Sequence, residues 1–337
     1  MPIGLILTGG SAKANVALAK RAEQAGIDAV FSVEFFNQHG YVVLGAIAQE
    51  TQRVRIGTGI ANSFTRSPVL HASAALDLDE LSDGRMVLGI GSGTKRMNEE
   101  WYGVPFSRPA ARTRELVRLL RALFSQRGFG FRFDGEFWKL RIPAYARPGK
   151  RRESIPIWVA GVNERMARAA GAEADGLVGH PIATRRWHRE RTLPWLRAGE
   201  EETRRPSGAC RLVPYVMASL HPDRAVAIRE AKGQIGFYYT VSVYHSILQH
   251  HGLGAVGEAC RKALARFDVA AMAEAIPDAL VDEIAIACPP DEARDRLAQW
   301  KDLTDEPLLY APSIGLPPER VRENVETLLD VFGSPGR

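Results

Sequence analysis

The sequence predicts a (β/α)8 TIM barrel with a β-hairpin insertion after its fourth helix and a helical insertion after its seventh strand. Three observations carry that expectation. Short apolar runs alternate with helical patterns along all 337 residues, and eight such units fit that length. The runs are apolar throughout rather than alternating, as strands are when both faces are covered and crossover helices join them in parallel. Polar and glycine-rich stretches gather just after the runs, where a barrel of this kind carries its functional groups. A doubly wound sheet is the other architecture that this alternation allows.

Ile3–Leu7 opens the series, and Lys13–Ala25 has helical spacing closed by Gly26, a suitable C-cap. Ala29–Val33 and Val54–Ile60 are the second and third runs, with a helix over Tyr41–Glu50 between them. Pro68–Leu81 is helical and stops at "SDGR"; Met86–Ile90 then leads into "GIGSGTK". Thr113–Phe124 places Leu116, Leu119, Leu120 and Leu123 on one face. Phe129, Phe131 and Phe133, then Glu136–Leu140, flank Asp134-Gly135 and give a hairpin signal. The alternation resumes with Ile155–Ala160, a helix over Glu164–Ala170, the strand Gly176–Val178 and a helix over Arg185–Glu201. Leu212–Ser219 is the seventh run, and a long helix begins at Asp223. Residues 240–300 hold no convincing strand and read as the helical insertion, with a helix from Asp291 to Trp300. Leu308–Tyr310 and a helix over Glu319–Phe332 close the series. No internal repeat and no linker divides residues 1–337, so a single domain is expected.

Hydrophobic residues make up 45% of the chain and charged residues 25%, ordinary values for a globular protein. The net charge of +5, from 44 basic and 39 acidic residues, suits an anionic ligand and falls far short of a nucleic-acid footprint. The arginine-rich stretches "RRESIP", "TRRWHRERT" and "EETRRPSG" mix with glutamate and read as solvated faces or as contacts to an anionic tail. No apolar run approaches the ~20 residues of a membrane span, and the first residues lack the basic start of a signal peptide. Cys210, Cys260 and Cys288 are scattered without metal spacing, as in a reduced, cytoplasmic protein. There is no HxH, HExxH or carboxylate cluster, so no metal site is expected.

The functional candidates follow the runs. In "GTGIANSFTRSP", residues 57–68, two glycines loosen a strand that then turns polar before Pro68 starts a helix. Glu34 is a carboxylate at the end of the second strand, beside Phe35 and Phe36. That setting suits a general acid or base, or else an ion pair with a neighbour such as Arg66. His39 and His180 lie on loops at the same face, as hydrogen-bonding residues or as catalysts. In "WVAGVNE", Gly161 turns the chain and the amides of Val162 and Asn163 open a helix. This suits a phosphate, or an ordinary turn with Asn163 as its cap. "GIGSGTK" is a second glycine-rich approach that matches neither a Walker loop nor a dinucleotide fingerprint. In "FYYTVSVY", residues 237–244, helical spacing groups Phe237 with Val241 and Tyr244, and Tyr238 with Ser242. That run packs the insertion on the barrel or lines a substrate cavity.

"GTGIANSFTRSP…HASAALDLDELSDGRMVLGIGSGTK", "FDGEFWKL" and "IPIWVAGVNERMARAAGAEADGLVGHP" together resemble the luciferase-like hydride-transfer superfamily, and most closely its branch that uses the deazaflavin coenzyme F420. The resemblance runs from Ile3 to about Leu329. It implies a TIM barrel whose third strand carries a bulge with a non-prolyl cis peptide behind the coenzyme ring, here between Gly59 and Ile60, with Ala61 and Asn62 at its edge. Gly91, Ser92 and Gly93 are then expected to approach the ring or its ribityl chain, and Lys95 an anionic part. Gly161, Val162 and Asn163 fall at the phosphate-binding helix start, and His180 at the coenzyme site. Many deazaflavin members end strand two with an Asp-His pair; counting without gaps from Gly26-Ile27-Asp28 puts Glu34 and Phe35 there. The resemblance thus implies an F420-dependent oxidoreductase, commonly a homodimer, reducing or oxidising a small-molecule carbonyl, imine or activated alkene, with Glu34 and His39 as the acid–base candidates. FMN-dependent monooxygenase activity, a non-catalytic flavin-binding protein and a sugar-phosphate-binding barrel are the other readings.

Overall fold

A computed structural model of the chain describes residues 1–7, 10–147 and 152–334. Eight parallel strands form the barrel: β1 (Gly4–Leu7), β2 (Ala29–Ser32), β3 (Arg55–Thr58), β4 (Met86–Gly91), β5 (Ile157–Gly161), β6 (Gly176–Gly179), β7 (Arg211–Leu220) and β8 (Leu308–Tyr310). Each pairs with the next in chain order, and β8 returns to β1 through Gly4↔Leu308, closing the ring. The strands of the two chain ends are therefore neighbours.

The continuous apolar runs are explained by two cores. Ile6, Phe31, Val87, Trp158, Val178, Val213, Met217 and Leu308 fill the barrel and continue into the insertion. Phe31 and Trp158 stack there with ring centroids 5.3 Å apart. The alternate residues Leu5, Leu7, Val30, Leu88, Val159, Leu212 and Val216 meet the apolar faces of the helices at Leu44, Leu76, Leu120 and Val325. Both faces of each strand are buried, so period-two polarity is erased.

Helix ends follow local chemistry. Ser11 caps the helix Ala12–Ala25 by accepting from the Ala14 amide, and Gly26 ends it at φ 82°. Ser67 caps Pro68–Leu81 in the same way through Val69, with Pro68 in the first turn. The helix expected over Thr113–Phe124 runs from Pro109 to Ser125. After it comes the hairpin, Phe131–Asp134 antiparallel to Lys139–Ile142. Its turn is held by the buried carboxylate of Glu115, which accepts from the amides of Glu136, Phe137 and Trp138 at 2.8–2.9 Å. The helix expected over Arg185–Glu201 is instead three joined pieces, with a wide π turn at His188–Thr192.

Three further expectations need correction. The third strand does not run evenly to Ile60: it ends at Thr58 and resumes as Ala61–Asn62 beside Ile90–Gly91 of β4. The segment 240–300 is helical over His245–His250, Gly254–Leu264, Val269–Glu274 and Asp278–Ile284, but Ala285–Cys288 is a strand, parallel to Met217–Leu220 of β7. Four apolar residues directly after a helix give no periodicity by which to tell them from its last turn. Finally, the helix begun after Asp223 stops at Tyr239, and Ser242–Tyr244 is a separate 3-10 turn. Phe237, Val241 and Tyr244 therefore do not share a helical face.

His71 and His188 are buried in this framework. Burial pushes the His71 pKa down to about 4, helped by the positive charge of Arg66, and burial alone pushes His188 down to about 3. Below the ordinary histidine value of 6.5, the unfolded chain binds protons that the folded chain refuses, so stability falls as pH falls. Each such group contributes a slope of about 1.4 kcal/mol per pH unit in that window. The urea midpoint is expected to hold steady from pH 8 to pH 7 and to drop progressively from pH 6.5 towards pH 4, which equilibrium unfolding at stepped pH measures.

Candidate active site

The site is built outward from the end of β3. The chain leaves the strand at Thr58, crosses a cis peptide between Gly59 and Ile60, and rejoins the sheet at Ala61. Both glycines face side chains that fill the barrel. A Cβ at Gly57 would come within 2.5 Å of the Phe31 ring, and one at Gly59 within 2.5 Å of the Tyr215 hydroxyl. That hydroxyl donates to the Gly59 carbonyl at 2.7 Å. On the other flank, the Ile60 side chain lies against Gly91, where a Cβ would sit 2.9 Å from its Cδ1. The bulge is thus fitted between β7 below and β4 beside it.

Glu34 stands beside this bulge. Its Oε1 accepts from the Asn62 amide at 3.0 Å and from Arg66 Nη1 at 2.6 Å, and its side chain is only 7% exposed. The ion pair with Arg66, one of the two alternatives left open by the sequence, is formed. It does not exhaust the carboxylate, because Oε2 is buried and has no hydrogen-bond partner among the described residues. Arg66 also places Nη2 3.0 Å from His39 Nε2 and lies over the Tyr41 ring at 5.3 Å. A neutral imidazole has one accepting nitrogen. Here the Arg66 contact on Nε2 is shorter than the 3.3 Å approach of the Val42 amide to Nδ1. His39 therefore reaches Glu34 through Arg66, not directly.

A side-chain amide pair ties the bulge to the loop after β4. Asn62 donates through Nδ2 to Asn98 Oδ1 at 3.3 Å, and the buried Asn98 donates to the carbonyls of Ser92 and Thr94 at 2.7 and 2.8 Å. Gly93, at φ 62°, lies over these two amides: a Cβ there would meet both nitrogens at 3.3–3.4 Å. Glu34, Ile60, Ala61, Asn62, Gly91, Ser92 and Gly93 are thereby brought together. Lys95 is not; its side chain is 71% exposed and ion-paired with Glu99.

At the end of β5, Asn163 occupies the cap position of the helix Glu164–Glu173 yet makes no capping bond. Its side chain turns to the insertion, donating to the Val243 carbonyl at 3.3 Å and accepting from Ser246 at 2.9 Å. The first amides of the helix are left without a side-chain acceptor. A cleft of about 470 Å³ opens here, lined by Asn163, Trp187, Arg191, Ser246 and His250 among others. Within the "TRRWHRERT" stretch, Arg185, Arg186 and Arg189 pair with carboxylates. Arg191 has no ion-pair partner among the described residues.

His180 follows β6 and packs between Tyr238 and Tyr244, with centroids at 4.8 and 4.3 Å. Burial pushes its pKa down to about 3, so the ring is neutral at physiological pH, and its Nδ1 is buried without a partner among the described residues. Tyr238 shares a 2.9 Å hydrogen bond with Tyr310, which in turn stacks on Tyr215. An aromatic wall therefore connects His180 to the hydroxyl beneath the bulge. Sequence reasoning missed Tyr215 and Asn98. Tyr215 shares the inward phase of Val213 and Met217 in β7, the one signal that places it inside the barrel.

The family model described as luciferase-like monooxygenase matches residues 3–306 of the chain. The chain is 30% identical over 287 residues to the 5,10-methylenetetrahydromethanopterin reductase of Archaeoglobus fulgidus, covering 82% of this chain and 83% of that protein. Among solved structures, the coenzyme F420-dependent tetrahydromethanopterin reductase from Methanopyrus kandleri superposes with a TM-score of 0.81 at 22% identity, over 98% of this chain and 97% of its own. The oxygenating constituent of 3,6-diketocamphane monooxygenase from Pseudomonas putida, in complex with FMN, superposes with a TM-score of 0.69 at 16% identity, over 99% and 98%. At those identities the two structures speak for the shared barrel alone. The family match and the reductase relative together establish that this chain belongs to the luciferase-like monooxygenase family.

Proposed function

We propose that the chain is an F420-dependent oxidoreductase that moves a hydride between the deazaflavin and a small organic substrate bearing a carbonyl, imine or activated alkene. One observation carries this reading. Glu34 is anchored to the bulge through Oε1, while Oε2 is buried with no partner among the described residues. A buried acceptor without a donor is costly, and a ligand bound at the bulge supplies the missing donor. F420 is taken as the coenzyme from the name of the Methanopyrus kandleri reductase, which shares this barrel.

The residues present fit such a group. The bulge, through the half-buried Ile60 beside the buried Gly59 and Ala61, would back a planar ring, with Asn62, Gly91, Ser92 and Gly93 at its edge. The uncapped amides after Gly161 and Val162, together with Asn163 and the unpaired Arg191, would receive a phosphate or an anionic tail. The neutral His180 would offer a hydrogen bond at the opposite side of the mouth. Lys95 would serve an anionic part only by leaving Glu99.

A deazaflavin held there would supply the hydride in its reduced form and accept it in its oxidised form. Glu34 Oε2 takes the proton from a substrate heteroatom in the direction of oxidation and returns it in reduction. Arg66 occupies the other oxygen, fixes the carboxyl group and leaves Oε2 to the substrate. His39, bound to Arg66, positions that guanidinium. FMN is the second reading, favoured by the FMN-bound camphane monooxygenase structure and by the description of the matching family.

We also read the protein as a cytoplasmic homodimer. Its three cysteines are buried and unpaired, and burial raises their thiols to about 11 or 12. Among the described residues no helix is long and apolar enough to cross a membrane. Val42, Leu70 and Leu81 expose 67%, 60% and 47% of their surface on helices Gly40–Glu50 and Pro68–Leu81, an apolar face that a second copy would cover.

Two measurements test the reading. Titration of the apoprotein with F420 and with FMN, followed by intrinsic fluorescence, should give tight binding of F420; tight binding of FMN alone would replace the coenzyme named here. Once a turned-over substrate is in hand, Glu34→Gln should lower kcat by about 10²–10⁴-fold, the usual range for a lost acid–base group. Its F420 affinity should change little, and an equal loss of both would remove the role given to Glu34.

A further inference from the structure

The loops that leave β2 and β4 touch each other across the exit of β3. Phe35 and Phe36 follow Glu34 in a tight turn, closed by mutual backbone hydrogen bonds between Phe35 and Gln38 at 2.9 and 3.2 Å. Trp101 ends the π turn Met97–Trp101 after β4. The three rings form a closed triangle: Phe35–Phe36 at 5.2 Å, Phe35–Trp101 at 5.8 Å and Phe36–Trp101 at 5.7 Å. They remain 43%, 66% and 44% exposed, although each would normally seek burial. Since β3 lies between β2 and β4 in the sheet, this triangle joins the loops that leave the strands on either side of the one carrying the bulge.

We propose that Phe35, Phe36 and Trp101 form an aromatic clamp for the apolar body of the substrate, and that the substrate class is therefore a bulky, ring-containing carbonyl, imine or enone. This rests on the oxidoreductase reading and names the substrate class of that same site. The clamp is continuous with the site at both ends. Phe35 is bonded to Glu34, and the turn carrying Trp101 is tied through Asn98 to Asn62 and to the Ser92–Thr94 carbonyls. Burial, and then the negative charge of Glu34, hold the Tyr102 hydroxyl above its ordinary pKa, so the residue after Trp101 lies within electrostatic reach of Glu34. A substrate gripped by these rings would present its polar end towards Glu34 Oε2 and its reacting carbon towards the bulge.

The test is calorimetric titration of the protein, with and without F420, using 2-acetylnaphthalene and acetone as probes. The naphthyl ketone should bind at least about tenfold more tightly than acetone, the order expected for one or two aromatic contacts. Trp101→Ala and Phe36→Ala should each remove several-fold of that preference without changing F420 affinity, and Trp101→Phe should retain most of it. Equal affinity for the two ketones, or an unchanged preference in the alanine variants, overturns the clamp. So does sedimentation showing that Phe36→Ala or Trp101→Ala dissociates a dimer, because a second copy would then be the occupant. Failure of F420 to bind is a separate result: it removes the F420-dependent reading, while a Trp101-dependent preference for the naphthyl ketone would still be visible in the unloaded protein.

Discussion

The Tyr215 hydroxyl donates to the Gly59 carbonyl at 2.7 Å from inside the barrel, and two residues past Ile60 the Asn62 amide donates to Glu34 at 3.0 Å. Between these two hydrogen bonds lies the cis peptide, with Ile60 wedged against Gly91. The composition of three strands follows from this fit. Gly57 and Gly59 make room for Phe31 and Tyr215, Gly91 makes room for Ile60, and Phe31 is itself stacked on Trp158 of β5. A larger residue would have to displace an aromatic side chain at Gly57 or Gly59, and the Ile60 side chain at Gly91.

Polar groups around this segment are arranged by the same economy. Glu34 spends one oxygen on structure, through Asn62 and Arg66, and keeps the other. Arg66 links that carboxylate to His39 and covers Tyr41, whose hydroxyl shares a 2.7 Å hydrogen bond with His71. Burial keeps His71 and His180 neutral and holds the hydroxyls of Tyr41, Tyr215 and Tyr238 well above their ordinary pKa. Near the bulge, Glu34 and Arg66 are thus the charged pair in a largely neutral aromatic setting, where a proton-transferring carboxylate is least screened by water.

Much of this was legible in the sequence because each strand is an uninterrupted apolar run followed by its glycine or polar residues. The barrel, the hairpin and the bulge bond at Gly59–Ile60 all appear where they were expected. What escaped has physical reasons. Ala285–Cys288 is too short to show a period. The helix through Tyr239 breaks at Thr240, whose hydroxyl bonds back to the Phe237 carbonyl at 2.7 Å, a local competition that spacing does not reveal. Tyr215 looks like any strand aromatic until Gly59 is placed opposite it. Asn98 and Trp101 lie in a charged stretch, "KRMNEEW", and gain meaning only when β2 and β4 meet over β3.

The central claim is that a planar coenzyme rests on the bulge while Glu34 Oε2 faces the substrate. A crystal structure of the protein with F420 and a secondary alcohol, the reduced form of a carbonyl substrate, tests it most directly. The account predicts the ring packed against Gly59–Ile60, with the ligand oxygen within hydrogen-bond reach of Glu34 Oε2. A ring bound elsewhere on the barrel, or a Glu34 carboxylate still closed onto Arg66 and remote from the ligand, would contradict it.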